Sequence, residues 1–203
     1  KTPYENDGII HGATFATDFH ENAGITAGTL DAGGKLNVTQ DEGSLSIIGF
    51  DIGLPVVSTG MFNLDLYFDY NKIISFGSGA ATGVVASVNG LGLVDVRAKL
   101  ERRFNGDQYL PSYFNSMYEL ERFSLAGGAP ASKVQILKST QKIGDGFYGE
   151  LLVRLLGTFD ITGSYQRLDD YPTSGILHLQ TDISPEDMSF VARAGYDKVN
   201  IQD

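Results

Sequence analysis

Apolar and polar side chains alternate with a period of two along most of this chain. In 61–70 (MFNLDLYFDY), Phe62, Leu64, Leu66, Phe68 and Tyr70 fall on one face, and Asn63, Asp65, Tyr67 and Asp69 on the other. A helix would scatter both sets around its circumference, whereas an extended strand separates them. The preceding segment behaves alike. Ile48, Phe50, Ile52 and Leu54 oppose Ile47, Gly49, Asp51 and Gly53 up to Pro55, and Ser58-Thr59-Gly60 supplies turn chemistry. The pattern predicts a β-hairpin over 46–70 whose first strand ends at Pro55.

Further strands follow from the same rule. In 91–104 the apolar set Val94, Val96, Ala98 and Leu100 alternates with the charged set Asp95, Arg97, Lys99, Glu101 and Arg103. After the turn-like Asn105-Gly106-Asp107, the segment 112–122 sets Phe114, Tyr118 and Leu120 against Asn115, Glu119 and Glu121. This predicts a strand that pairs with 91–104, acids facing bases, at roughly 0.2–1 kcal/mol per opposite-charge pair. A second hairpin is predicted over 147–167, where Phe147, Leu151, Val153 and Leu155 alternate with Tyr148, Glu150 and Arg154 before Gly157. Tyr171-Pro172-Thr173-Ser174 reads as a turn and 177–182 as a strand. Weaker strands are expected at 11–20, 24–30, 35–39, 77–88 and 133–142. Ser184-Pro185-Glu186-Asp187 carries helix-start residues, but Met188, Phe190, Ala192, Ala194 and Tyr196 alternate, so a turn followed by a strand is expected.

The chain is therefore expected to be all-β and antiparallel. Its 203 residues suffice for a single domain over 1–203, which at about 10 residues per strand gives roughly 8–12 strands. No Pro-rich tract or charge block divides it. Cys is absent, which excludes disulfides and thiolate metal sites. The net charge of −10 disfavours binding to nucleic-acid phosphate. No apolar run reaches the ~18 residues of a membrane helix, but a membrane strand needs none, because its apolar residues occupy alternate positions.

Alternation cannot itself say whether the apolar face meets a dry core or lipid. Three features favour lipid. Several strands run about ten residues, the membrane-spanning length. Aromatics gather near the predicted strand ends: Tyr67, Phe68 and Tyr70; Phe104, Tyr109 and Tyr113; Phe147 and Tyr148; Tyr165 and Tyr171. The polar faces mix both charge signs, as a filled lumen requires. The alternative is a soluble β-barrel or sandwich that binds an apolar ligand among Phe62, Leu64, Leu66, Phe68 and Leu151.

The succession of hairpins, the ladder Asp95–Arg103, and the run from Arg102-Arg103-Phe104 through Pro111-Ser112-Tyr113-Phe114 resemble bacterial outer-membrane β-barrel proteins of the porin-like type, over about 45–197. The resemblance implies an up-and-down transmembrane barrel in the bacterial outer membrane. It would contact membrane lipid and serve as a structural element or a passive route for small hydrophilic solutes, with no cofactor. The lumen candidates are Asp95, Arg97, Lys99, Glu101, Arg103, Glu119, Glu121 and Arg154. The start at Lys1 reads as a processed chain or an excised fragment. The ending Val199-Asn200-Ile201-Gln202-Asp203 departs from the closing aromatic strand of such proteins, so either the last strand is missing or the resemblance misleads.

Catalysis is not expected. His11, His20 and His178 show no HExxH spacing, and no GxSxG elbow occurs. His178 and Asp182 lie four strand positions apart, too far for contact at about 3.3 Å per residue. The Gly-rich 77–88 lacks the Lys and Ser/Thr of a phosphate loop and reads as a small-residue strand. The acidic turns around Asp31, Asp41, Glu42, Asp169, Asp170, Asp182, Glu186 and Asp187 lack EF-hand spacing and are expected to be solvated loops.

Overall fold

A computed structural model describes residues 8–90, 92–126, 129–184 and 191–202. The strands are β1 (Ile10–Asp18), β2 (Ile25–Leu30), β3 (Leu36–Asp41), β4 (Leu45–Ser58), β5 (Phe62–Ile73), β6 (Ser78–Val88), β7 (Val94–Asn105), β8 (Phe123–Ala126), β9 (Ala129–Ser132), β10 (Gly146–Leu155), β11 (Phe159–Leu168), β12 (Gly175–Ile183) and β13 (Ala192–Ile201). Two short helices, α1 (Tyr118–Glu121) and α2 (Lys133–Ser139), lie between β7 and β10. Among the described residues no helix is long and apolar enough to cross a membrane.

Among the described residues nine strands form one antiparallel sheet in the order β1-β4-β5-β6-β7-β10-β11-β12-β13. Each strand pairs with the next one available in the chain, so β1 and β13 form the two edges. The hairpin of 46–70 is β4–β5, in a register that sets Asp51 against Asp69 and Leu54 against Leu66. The hairpin of 147–167 is β10–β11. Pro55 does not end its strand. The ladder shifts between Pro55 and Val57, and β4 continues to Ser58. Pro55 stays in register with Asp65 and Val56 is the residue left out, while β1 pairs with β4 only as far as Gly53. Pro55 therefore lies next to the bulge and beyond the β1 ladder, where a missing N–H is tolerated.

Two predicted strands are wrong. The segment 112–122 does not pair with 91–104. Its end is α1, and β7 pairs with β10 instead, Arg97 facing Leu152 and Lys99 facing Glu150. The segment 133–142 contains α2. Ser132 caps it, accepting a hydrogen bond from the Gln135 N–H at 3.2 Å, and Val134 and Leu137, three positions apart, turn inward. The predicted turn and strand over 184–197 falls partly outside the described residues, and within them 192–201 is strand.

The two faces of the large sheet are opposite in character, and their exposure runs against the habit of a water-soluble sheet. The large apolar side chains are the bare ones: Ile48, Phe50, Leu54, Phe62, Leu66, Phe68, Phe104, Phe147 and Leu151 are all exposed. On neighbouring positions of β7, Leu100 is 57% exposed and Glu101 only 5%. The polar face is the inner side of the bend, because one cavity is lined jointly by side chains of β4, β5, β7 and β10. The side chains that would line an apolar ligand cavity, Phe62, Leu66, Phe68 and Leu151, lie on the exposed face.

The buried apolar cluster lies at one end of the sheet. Leu45 and Ile73, at the ends of β4 and β5, pack with Tyr109, Tyr113, Tyr118, Val134 and Leu137. Two long connections build this cap. The β2–β3 hairpin arises from the link between β1 and β4, and α1, β8, β9 and α2 from the link between β7 and β10. Asp18 at the end of β1 accepts a hydrogen bond from the Tyr118 hydroxyl at 2.7 Å and pairs with Arg122 at 3.4 Å. Ser132 donates to the Ile25 carbonyl, and Lys138 meets Glu42 at 2.6 Å. Burial, and then the Asp18 carboxylate, hold the Tyr118 phenol well above its ordinary pKa. The cap reaches the inner face: Gly79 of β6 leaves room for the Tyr109 ring, which a Cβ there would strike.

Candidate functional site

The inner face of the sheet is a trough. Six of the residues singled out from sequence lie on it. Asp95, Arg97, Lys99, Glu101 and Arg103 alternate along β7, and Arg154 on β10 sits opposite Asp95. Glu119 and Glu121 do not. They belong to the cap, where Glu119 meets Arg122 at 3.1 Å and Glu121 meets Lys133 at 2.7 Å.

At mid-trough the charges are matched. Glu101 takes Lys99 at 2.9 Å and Arg103 at 2.5 Å, and accepts a hydrogen bond from the Tyr67 hydroxyl at 2.5 Å. Arg103 also donates to Gln166 at 3.1 Å and lies 4.6 Å from the Tyr148 ring centre. A carboxylate withdrawn from water must be paired and hydrogen-bonded, and here three donors do this. Arg154 grips Asp160 with two bonds of 2.7 Å each. Further along, Asp182 pairs with Arg193, and His178 with Asp197 at 2.5 Å.

The Tyr67–Glu101 bond spans an entire intervening strand. Tyr67 on β5 is opposite Gly83 on β6, which is opposite Glu101 on β7. The missing side chain at Gly83 gives the ring its passage. A Cβ there would sit 2.5 Å from the Tyr67 oxygen and 2.6 Å from the Leu100 carbonyl. Gly83→Val is therefore expected to cost about 1–3 kcal/mol, the usual penalty for overpacking. Urea unfolding should show it, and Tyr67→Phe combined with Gly83→Val should cost less than the two changes summed. An additive double variant would mean the ring does not depend on that gap.

Beside this matched region lies a cavity of about 980 Å³. Its lining includes Asp51, Asp65, Asp69, Asp95, Arg97 and Arg154, with Tyr67, Ser87 and Leu152. Sequence reasoning marked Asp95, Arg97 and Arg154 but passed over Asp51, Asp65 and Asp69. Their alternation with Phe50, Leu64, Leu66 and Phe68 was visible, and it was the sense of the bend that was not. Among the described residues no group of three potential metal ligands converges.

The aromatics divide by location. Phe50, Phe68, Tyr70, Phe104, Phe147 and Tyr165 stand on the bare face, towards the capped end. Arg102 shares that face, its guanidinium 4.2 Å from the Phe147 ring centre and 2.5 Å from Asp169. Tyr67 and Tyr148 turn into the trough, and Tyr109 and Tyr113 belong to the cap core. No family model, no curated protein and no solved structure matches this chain.

Proposed function

We propose that this chain forms most of the wall of an outer-membrane-type β-barrel whose charged interior is a passive route for small hydrophilic solutes. The observation that carries this reading is the inverted polarity of the sheet, whose large apolar side chains are bare while the carboxylates Asp51, Asp65, Asp69 and Asp95 on the opposite face are half-buried and Glu101 is buried. In water, exposing so broad an apolar face is unfavourable, and contiguous apolar patches of this kind mark contact with a membrane or another protein. In a bilayer the same face is solvated by hydrocarbon, and the polar face lines an aqueous interior. Strands of 9 to 14 residues in the large sheet match the tilted span of a membrane strand. Outward aromatics with Arg102 at one end suit the interface between hydrocarbon and headgroups.

Lipid tolerates no unpaired sheet edge, so in this reading further strands close the barrel between β13 and β1. The cap covers the inner face near β4–β6 and narrows one mouth. The full-length product is expected in the membrane fraction, resistant to a carbonate wash, extracted only by detergent, and faster on gels before boiling than after. Recovery as a folded protein in detergent-free buffer would overturn the membrane assignment.

A further inference from the structure

We propose that the trough selects cations over anions. The inference rests on the aqueous-passage reading and specifies what passes. Its basis is the sorting of charge within the 980 Å³ cavity. Asp51, Asp65, Asp69 and Asp95 line it, against two guanidiniums, Arg97 and Arg154. Arg154 is already clamped by Asp160, so its charge is spoken for. Among the described residues Asp95 accepts one hydrogen bond, from the Gly90 N–H at 2.9 Å, and faces Arg154 across the ladder. Among the described residues Asp51, Asp65, Asp69 and Asp95 engage in no ion pair, and neither does Arg97, which leaves four unpaired carboxylates in the cavity against one unpaired guanidinium.

Asp51 and Asp69 are directly opposite each other on β4 and β5. Like charges in that relation destabilise a sheet, so stability does not account for them. Their value lies in the field they create. Carboxylates on the concave side of a wall with low-dielectric backing concentrate the potential in the passage and enrich mobile cations there. Rings of Asp or Glu produce cation selectivity in pores by this means. The absence of a converging ligand set among the described residues favours diffusing monovalent cations and ammonium-bearing solutes over a held metal.

Reconstitution of the full-length product in planar bilayers under a potassium chloride gradient tests this. The potassium-to-chloride permeability ratio should be several-fold above unity. Asp51→Asn, Asp65→Asn and Asp69→Asn should each lower it towards unity, and Arg97→Gln should raise it. Opposite responses to removing opposite charges cannot come from misfolding. Conductance with a ratio at or below unity, or shifts of one sign in all four variants, overturns the selectivity and leaves the passage standing. Absence of conductance overturns the passage itself, and the selectivity with it.

Discussion

Leu66→Arg is expected to abolish assembly of this protein in membranes. Leu66 is in the middle of β5, 45% exposed, between Leu54 of β4 and Val84 of β6 on the bare face. If that face meets hydrocarbon at mid-depth, the guanidinium costs about 2–4 kcal/mol, a large share of the roughly 5–15 kcal/mol that holds a domain folded. Val85→Arg is the matched control. Val85 lies on the inner face, opposite Asp65, where an added cation meets water and a carboxylate. Folded, heat-modifiable protein should be lost with the first change and retained with the second. A sheet whose bare face meets water would behave in the opposite sense, since an exposed arginine in place of an exposed leucine is close to neutral there. Equal tolerance of both changes would end the membrane proposal.

The cap should respond separately from the sheet. Leu137 is fully buried, packed with Val134, Tyr113 and Tyr118. Leu137→Ala removes three carbon atoms from this small cluster, at an expected cost of about 2–5 kcal/mol. The cluster touches the sheet through Leu45 and Ile73 at strand ends, while the ladders of β4–β7 continue well beyond it. Local opening is therefore expected, because the cap has its own cluster and can open as a contiguous unit below the global free energy. Amide exchange over 106–142 should accelerate greatly, with the amides of β5 and β6 still protected. Acceleration throughout would mean that cap and sheet unfold as one unit.

The sequence made the sheet legible where residues alternate without interruption. β4, β5, β10 and β11 follow from Ile48–Leu54, Phe62–Tyr70 and Phe147–Tyr165, because only an extended chain separates such sets. The cap was misread for a physical reason. Four residues of α1 are too few to display a 3.6-residue period, and Phe114, Tyr118 and Leu120 alternating with Asn115, Glu119 and Glu121 mimic a strand. α2 carried a usable signal that the strand-like run outweighed: Ser132 followed by Gln135 has the spacing of a helix start, with Val134 and Leu137 on one face. The residues singled out on β7 and β10 share one face of the sheet because charge alternation marks a face. Glu119 and Glu121 lie off that face because the segment expected to pair as a strand ends in α1. Asp51, Asp65 and Asp69 were missed because alternation identifies two faces without saying which is concave. That choice depends on curvature summed over many strands, which no single segment encodes.

Every neighbouring pair in the large sheet is antiparallel, and the order runs through nine strands. The first and the last staves consequently point the same way, from the short-turn rim towards the cap. They cannot be joined edge to edge in the manner of all the other seams. A twin set upright beside this one in the same bilayer would offer only like-directed margins. If the proposed barrel closes around the nine described strands, the closing strands must be odd in number, the first descending from the cap side along β13 and the last descending along β1.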